Sequence, residues 1–183
     1  MKAQYTGKQQ FLLNHGVQMR KLGWRVGLAR SNKTLLCELI GARNLYIGKD
    51  WDSLSIIMDE QLVVVDIDAL TYEIPYGYDL PPTLKERSRR GTHLFYQLPK
   101  GDYACRIKRW TNVDLLVREE KDEASEYIVY NEKEDGEKTI RHPWVSHVLC
   151  SPSTNYSLVW PDALPHRNEI TQAPEWLIKE VTS

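Results

Sequence analysis

The chain has 183 residues, of which 42% are hydrophobic and 27% charged. That fits one domain of ordinary size with a core of its own, and excludes a disordered or low-complexity class. The formal net charge is -1, no apolar run approaches the roughly 18 residues of a membrane span, and the polar start, Met1 to Gln10, lacks a signal-peptide core, so the expectation is a cytosolic (cytoplasmic) protein.

The small net charge conceals segregation. Met1 to Lys49 holds nine basic residues against one acidic, Lys85 to Arg109 eight against two, and Glu119 to Glu137 nine acidic against two basic. Basic stretches flanking an acidic centre suit a protein that handles nucleotides or nucleic acid, although charge clusters are more often solvated surface. Cys37, Cys105 and Cys150 have no CxxC spacing, which points to core thiols rather than a disulfide framework or zinc.

In chain order, Phe11, Leu12, His15, Met19 and Leu22 recur at helical spacing over Gln9 to Leu22, with Gly23 as the stop. Short apolar strands are expected at Trp24 to Ala29, Thr34 to Ile40, Leu54 to Met58 and Leu62 to Ile67. Ile74 to Pro82, with Pro75, Gly77, Pro81 and Pro82, reads as a surface loop. Further strands are expected at Thr92 to Leu98, Val113 to Val117, Glu126 to Tyr130, Trp144 to Leu149 and Tyr156 to Trp160. The acidic stretch Glu119 to Glu137 reads as a hairpin arm or surface loop, and Pro174 to Leu177 opens a last helix with proline in its first turn. Many strands with few helices indicate α+β.

Three segments carry chemistry. In Gln61 to Asp68 a hydrophobic strand ends in two carboxylates, and the period of two puts Asp66 and Asp68 on one face. Neighbouring like charges repel unless a cation lies between them, and hard oxygens select Mg²⁺ or Mn²⁺; the bland reading is a strand running out into a polar loop. In Ser88 to Tyr96, Arg89 and Arg90 precede Gly91, which permits close backbone approach, and His93 enters the next strand. Guanidiniums there suit phosphate oxygens, whereas a lone histidine is commonly structural. In Asn112 to Arg118, Asp114 interrupts an apolar strand as a third carboxylate. Three carboxylates from two strands would suit two-metal attack at phosphorus.

The order of these motifs resembles the three-motif pattern of the archaeo-eukaryotic primase superfamily. Ser88-Arg-Arg-Gly-Thr-His93 looks like the arginine-bearing motif of eukaryotic-type primase small subunits. The wider chain is more similar to the bifunctional primase-polymerase domains of phages and plasmids, through Gly23-Trp-Arg-Val26, Lys33, Ser151-Pro-Ser153 to Trp160, and Pro174 to Leu177. Two departures are Thr34, where a loop proline is expected after Lys33, and Arg90, where phage-type members usually carry glycine.

The resemblance implies an α+β fold in one domain, residues 1–183. An N-terminal α/β module of about residues 1–50 would pack beside an RRM-like antiparallel catalytic sheet of about residues 51–183, with the active site between them. It implies that Asp66, Asp68 and Asp114 bind Mg²⁺ or Mn²⁺, with His93 also catalytic, and that Arg89, Arg90, His93 and Lys33 hold the incoming NTP or dNTP. The activity implied is DNA-dependent primase or polymerase nucleotidyl transfer to a primer 3'-hydroxyl on a single-stranded DNA template. No Walker motif is present, so a separate helicase would unwind. From its charge balance the basic N-terminal module is the expected template surface; Trp24 and Tyr46 could offer stacking faces there, although burial is the commoner fate for either aromatic. The alternatives are a catalytically inactive RRM-like nucleic-acid-binding module, or another metal-dependent phosphoryl-transfer enzyme such as a nuclease.

Overall fold

The computed structural model of the chain describes residues 5–39, 44–46, 50–131 and 136–183, with side chains over 5–39, 50–119 and 145–183. Helix α1, Gly7–Lys21, begins two residues before the apolar periodicity suggests because Thr6 and Gln9 form a capping box. The Thr6 hydroxyl accepts from the Gln9 N–H at 3.2 Å while the Gln9 side chain accepts from the Thr6 N–H at 3.0 Å. Leu12, Leu13, Gly16 and Met19 form its buried stripe, and Phe11, expected on that stripe, is exposed. Gly23, at φ +85°, ends it in the left-handed region.

The strands follow as β1 Val26–Ala29, β2 Leu35–Glu38, β3 Asn44–Tyr46, β4 Ser53–Ile57, β5 Leu62–Ile67, β6 Leu84–Arg87, β7 Thr92–Gln97, β8 Arg106–Trp110, β9 Val113–Leu116, β10 Glu120–Asn131, β11 Gly136–Val145, β12 His147–Cys150 and β13 Ser157–Trp160. A 3-10 turn at Arg167–Glu169 and helix α2, Glu175–Val181, close the chain. The class is mixed α+β, and the strands of all three sheets pair antiparallel. Pro174 is the N-cap residue of α2, just outside the first turn.

The chain divides into two compact units, one of Met1–Ile57 with Glu120–Thr154 and the other of Met58–Glu119 with Asn155–Ser183. In the first, α1 lies on β1 and β4 of a four-stranded sheet ordered β12-β4-β1-β2. The acidic stretch forms most of the long β10–β11 hairpin, which β3 joins as a third strand. Ile40, the end of the second expected strand, lies outside the described residues, as does the side chain of Tyr46. Burial pushes the Cys37 thiol up to about 12 and, in the second unit, that of Cys105 up to about 11. Neither is a ready nucleophile, in keeping with core thiols.

The second unit is built on a six-stranded sheet ordered β13-β6-β7-β5-β9-β8. Alternate residues of the central strands face α2: Val63, Val65 and Ile67 from β5, Tyr96 from β7, and Val113 and Leu115 from β9. With Ala173, Leu177 and Val181 they make one apolar core, each fully buried aliphatic side chain contributing about 1.5–3 kcal/mol. Tyr96 is compatible with that core because its hydroxyl donates to the Pro81 carbonyl at 2.7 Å. At the start of the unit, Arg167 grips Asp59 through two hydrogen bonds of 2.8 and 2.9 Å and tethers the 3-10 turn to the entry of β5.

Candidate active site

The opposite face of the same sheet is where the sequence motifs meet. Strand β5 puts Asp66 directly opposite His93 on β7 and directly opposite Asp114 on β9, while His93 is opposite Glu86 on β6. Directly paired residues of antiparallel strands project on the same side, so Glu86, His93, Asp66 and Asp114 form one row across four adjacent strands. Glu86 is 1% exposed, His93 3% and Asp66 5%; Asp114 is partly buried.

Burial of so many ionisable groups together is costly unless they are paired and hydrogen-bonded. The row satisfies that condition only in part. Asp66 Oδ1 lies 3.3 Å from His93 Nε2, an ion-pair distance, yet Asp66 Oδ1 and His93 Nδ1 have no hydrogen-bond partner among the described residues. Each unsatisfied buried polar group costs about 1–3 kcal/mol. Such orphans call for a reason, and a catalytic role or a bound ion is one. Tyr156 and Phe95 wall the imidazole, with ring centroids 5.8 and 6.2 Å away.

At the rim, Asp68 follows the end of β5. Its N–H donates to the Asn112 carbonyl at 3.0 Å, and its carboxylate, partly exposed, stands 4.0 Å from the Arg90 guanidinium. Asp114 Oδ1 accepts from the Lys108 N–H on β8. Asp66, Asp68 and Asp114 offer the hard oxygens a divalent cation selects, and the orphaned Asp66 oxygen suits one. Among the described residues, no three ligating side chains converge as a metal-binding group; Asp68 stands 4.0 Å from Arg90, and Asp114 accepts from the Lys108 N–H.

The β6–β7 turn is fixed from both sides. Ser88 bonds Gly91 twice, its N–H donating to the Gly91 carbonyl at 3.0 Å and its hydroxyl accepting from the Gly91 N–H at 3.1 Å. A Cβ at Gly91 would lie 1.6 Å from the Ile67 carbonyl oxygen and 2.7 Å from its carbon. Only glycine lets the turn rest on the β5 backbone between Asp66 and Asp68. Arg89 and Arg90 project from its tip, exposed.

Six of the seven sequence-derived site residues, Asp66, Asp68, Arg89, Arg90, His93 and Asp114, therefore gather in the second unit. Lys33 belongs to the first, exposed in the tight β1–β2 turn at φ +70° with its carbonyl 3.0 Å from His147 Nε2. Trp24 is buried in the core of that unit and offers no stacking face, the commoner of the two fates weighed for it.

Sequence reasoning missed Glu86, because Leu84-Lys-Glu-Arg87 carries too little apolar character to read as a strand. The signal that could have found it is the alternation of Leu84, Glu86 and Ser88, all inward, with Lys85 and Arg87, both outward.

Comparison of the chain with family models, with curated proteins and with solved structures gave no match. No helix among the described residues is long and apolar enough to cross a membrane.

Proposed function

We propose that the second unit carries the catalytic centre of a metal-dependent nucleotidyltransferase of the primase-polymerase kind, and that its sheet is the RRM-like catalytic sheet of that superfamily. The observation that carries the reading is the register: three motifs far apart in sequence bring Asp66, His93 and Asp114 side by side on adjacent strands. A buried acid beside a buried histidine and a second acid is costly to hold together, and phosphoryl transfer is a chemistry that uses that set.

Asp66 and Asp68, with Asp114 one strand over, are the residues that would hold Mg²⁺ or Mn²⁺. Bound there, the metal supplies charge neutralisation on the triphosphate and a more acidic primer 3'-hydroxyl. Arg89 and Arg90, on a turn that Gly91 presses onto the β5 backbone, present forked donors for phosphate oxygens at a distance the sheet sets. His93, buried and walled by Tyr156 and Phe95, sets its Nε2 3.3 Å from Asp66 Oδ1. Glu86 lies opposite His93 on β6, on the side away from Asp66.

The test is incubation with a primed single-stranded DNA template, Mg²⁺ or Mn²⁺ and labelled NTPs or dNTPs, with products sized on a gel. Primer extension is expected, and the Asp66→Ala, Asp68→Ala double variant should abolish it while remaining folded. Near-normal extension by that variant would sink the reading. Shortened primers would move the assignment to a nuclease.

A further inference from the structure

The margin of the same sheet, away from the acidic row, carries an exposed strip that the catalytic reading does not use. Strand β13 forms one edge of the sheet and pairs only with β6. Its register sets Trp160 opposite Lys85 and Ser157 opposite Arg87, with a bulge after Leu158. Because Glu86 points into the buried row, Lys85 and Arg87 point the other way, and both are exposed. Trp160 is 51% exposed.

From Trp160 and Lys85 the strip continues to Arg87, about 7 Å at the strand rise, and exposed Arg89 follows on the β6–β7 turn. It ends where Gly91 meets the β5 backbone. Among the described residues, Lys85, Arg87 and Arg89 have no ion-pair partner, and Arg90 has only Asp68 at 4.0 Å. The nearest acid along β13 is Asp162, two residues beyond Trp160 and also exposed. The N-terminal basic stretch, the other candidate, is partly neutralised within its own unit: Arg25 is forked onto Glu38 at 2.7 and 2.9 Å and Arg30 is paired with Asp50. Arg20 also buries one guanidinium nitrogen.

A row of unneutralised cations with a solvent-facing indole at one end matches one polyanion in particular. Phosphates of an unpaired strand would run along Lys85, Arg87 and Arg89, and an unstacked base would lie on Trp160. A duplex, with its bases already stacked, leaves the indole without a use. We infer that the β6–β13 margin is a single-strand nucleic-acid surface. Resting on the catalytic reading above, it would carry the template along the margin on the face opposite the acidic row, up to the β6–β7 turn that rests on β5 at Ile67.

The measurement is fluorescence anisotropy of labelled single-stranded oligo-dT and oligo-rU, with a duplex as competitor, across a salt series and without nucleotide. The parent should bind single strands in preference to duplex. The Lys85→Ala, Arg87→Ala double variant should flatten the slope of log affinity against log salt by about 1.4, that is about 0.7 for each lost phosphate contact. Trp160→Ala should weaken binding roughly tenfold with the slope unchanged, and Trp160→Phe should restore part of the loss. Unfolding midpoints verify that each variant is folded, and Lys85→Arg should bind as the parent does. No single-strand binding by the parent, or parent-like affinity and slope in the folded variants, would overturn the inference. Primer extension separates the two proposals. Variants that bind as the parent does beside a chain that extends primers remove the surface and leave the catalytic reading standing, whereas the expected binding losses in a chain that extends nothing do the reverse.

Discussion

Strand β5 has two faces that obey different rules. Val63, Val65 and Ile67 meet α2 in a core of aliphatic side chains, whereas one residue out of phase, Asp66 sits at the centre of a buried row with Glu86, His93 and Asp114. The backbone and its hydrogen bonds are common to both, so the difference lies in the side chains alone. Val63, Val65 and Ile67 make one face of β5 apolar throughout, whereas the Asp66 face is apolar at Leu62 and Val64, beside Phe95 and Leu84, and ionisable along the row. Apolar burial on both faces offsets the cost of holding those groups away from water. Stability and chemistry are thus interleaved at a spacing of one residue, and a register slip by one would exchange them.

That contrast can be broken from either side. The largest expected effect is on the apolar face: Leu115→Ala, at a site 0% exposed and packed in the α2 core, should lower the unfolding free energy by about 2–5 kcal/mol, read from urea unfolding. A loss below about 1 kcal/mol would mean that the α2 core is not what holds the sheet. Next comes the junction of the two faces. Gly91→Ala drives a methyl group into the Ile67 carbonyl and should cost about 1–3 kcal/mol, and it should also weaken nucleotide binding by moving Arg89 and Arg90, read by calorimetry with Ca²⁺. Unchanged stability and affinity together would show that the turn does not depend on its contact with β5.

The smallest effect is expected on the polar face. Asp66→Asn keeps the shape and removes one of the row's negative charges, so the unfolding midpoint should stay within the equivalent of about 1 kcal/mol of the parent or rise. A loss above about 3 kcal/mol, the usual result of breaking a buried ion pair, would recast Asp66 and His93 as a structural pair.

The legibility of the fold followed the same division. The central strands β5, β7 and β9 were readable from their apolar residues, and the pairing register then sets Asp66, His93 and Asp114 side by side. The outer strands β6 and β8 were not, since Leu84-Lys-Glu-Arg87 and Arg106-Ile-Lys-Arg-Trp110 lie at or near the sheet margin, where water covers half the residues and removes the apolar signal. For that reason Glu86 escaped notice although it is the most deeply buried acid of the row. Thr6 was legible in principle, as Thr-x-x-Gln before an apolar run. The partition of the chain was harder, because the long hairpin Glu120 to Val145 belongs to the unit that begins at Met1 rather than to its sequence neighbours, and long-range pairing leaves no local mark.

The contact between Gly91 and the Ile67 carbonyl also fixes how this site can be varied. The two arginines before it stand in solvent, Arg89 with no ion-pair partner among the described residues and Arg90 with only Asp68 at 4.0 Å, so residues 89 and 90 form an open alphabet through which preference for one phosphate-bearing ligand over another can be rewritten. Position 91 admits a single letter, because every other side chain begins with the carbon atom for which there is no room. A combinatorial library across this hairpin therefore has two free columns beside one locked column, and the locked one guarantees that whatever the free ones encode is delivered to the same place.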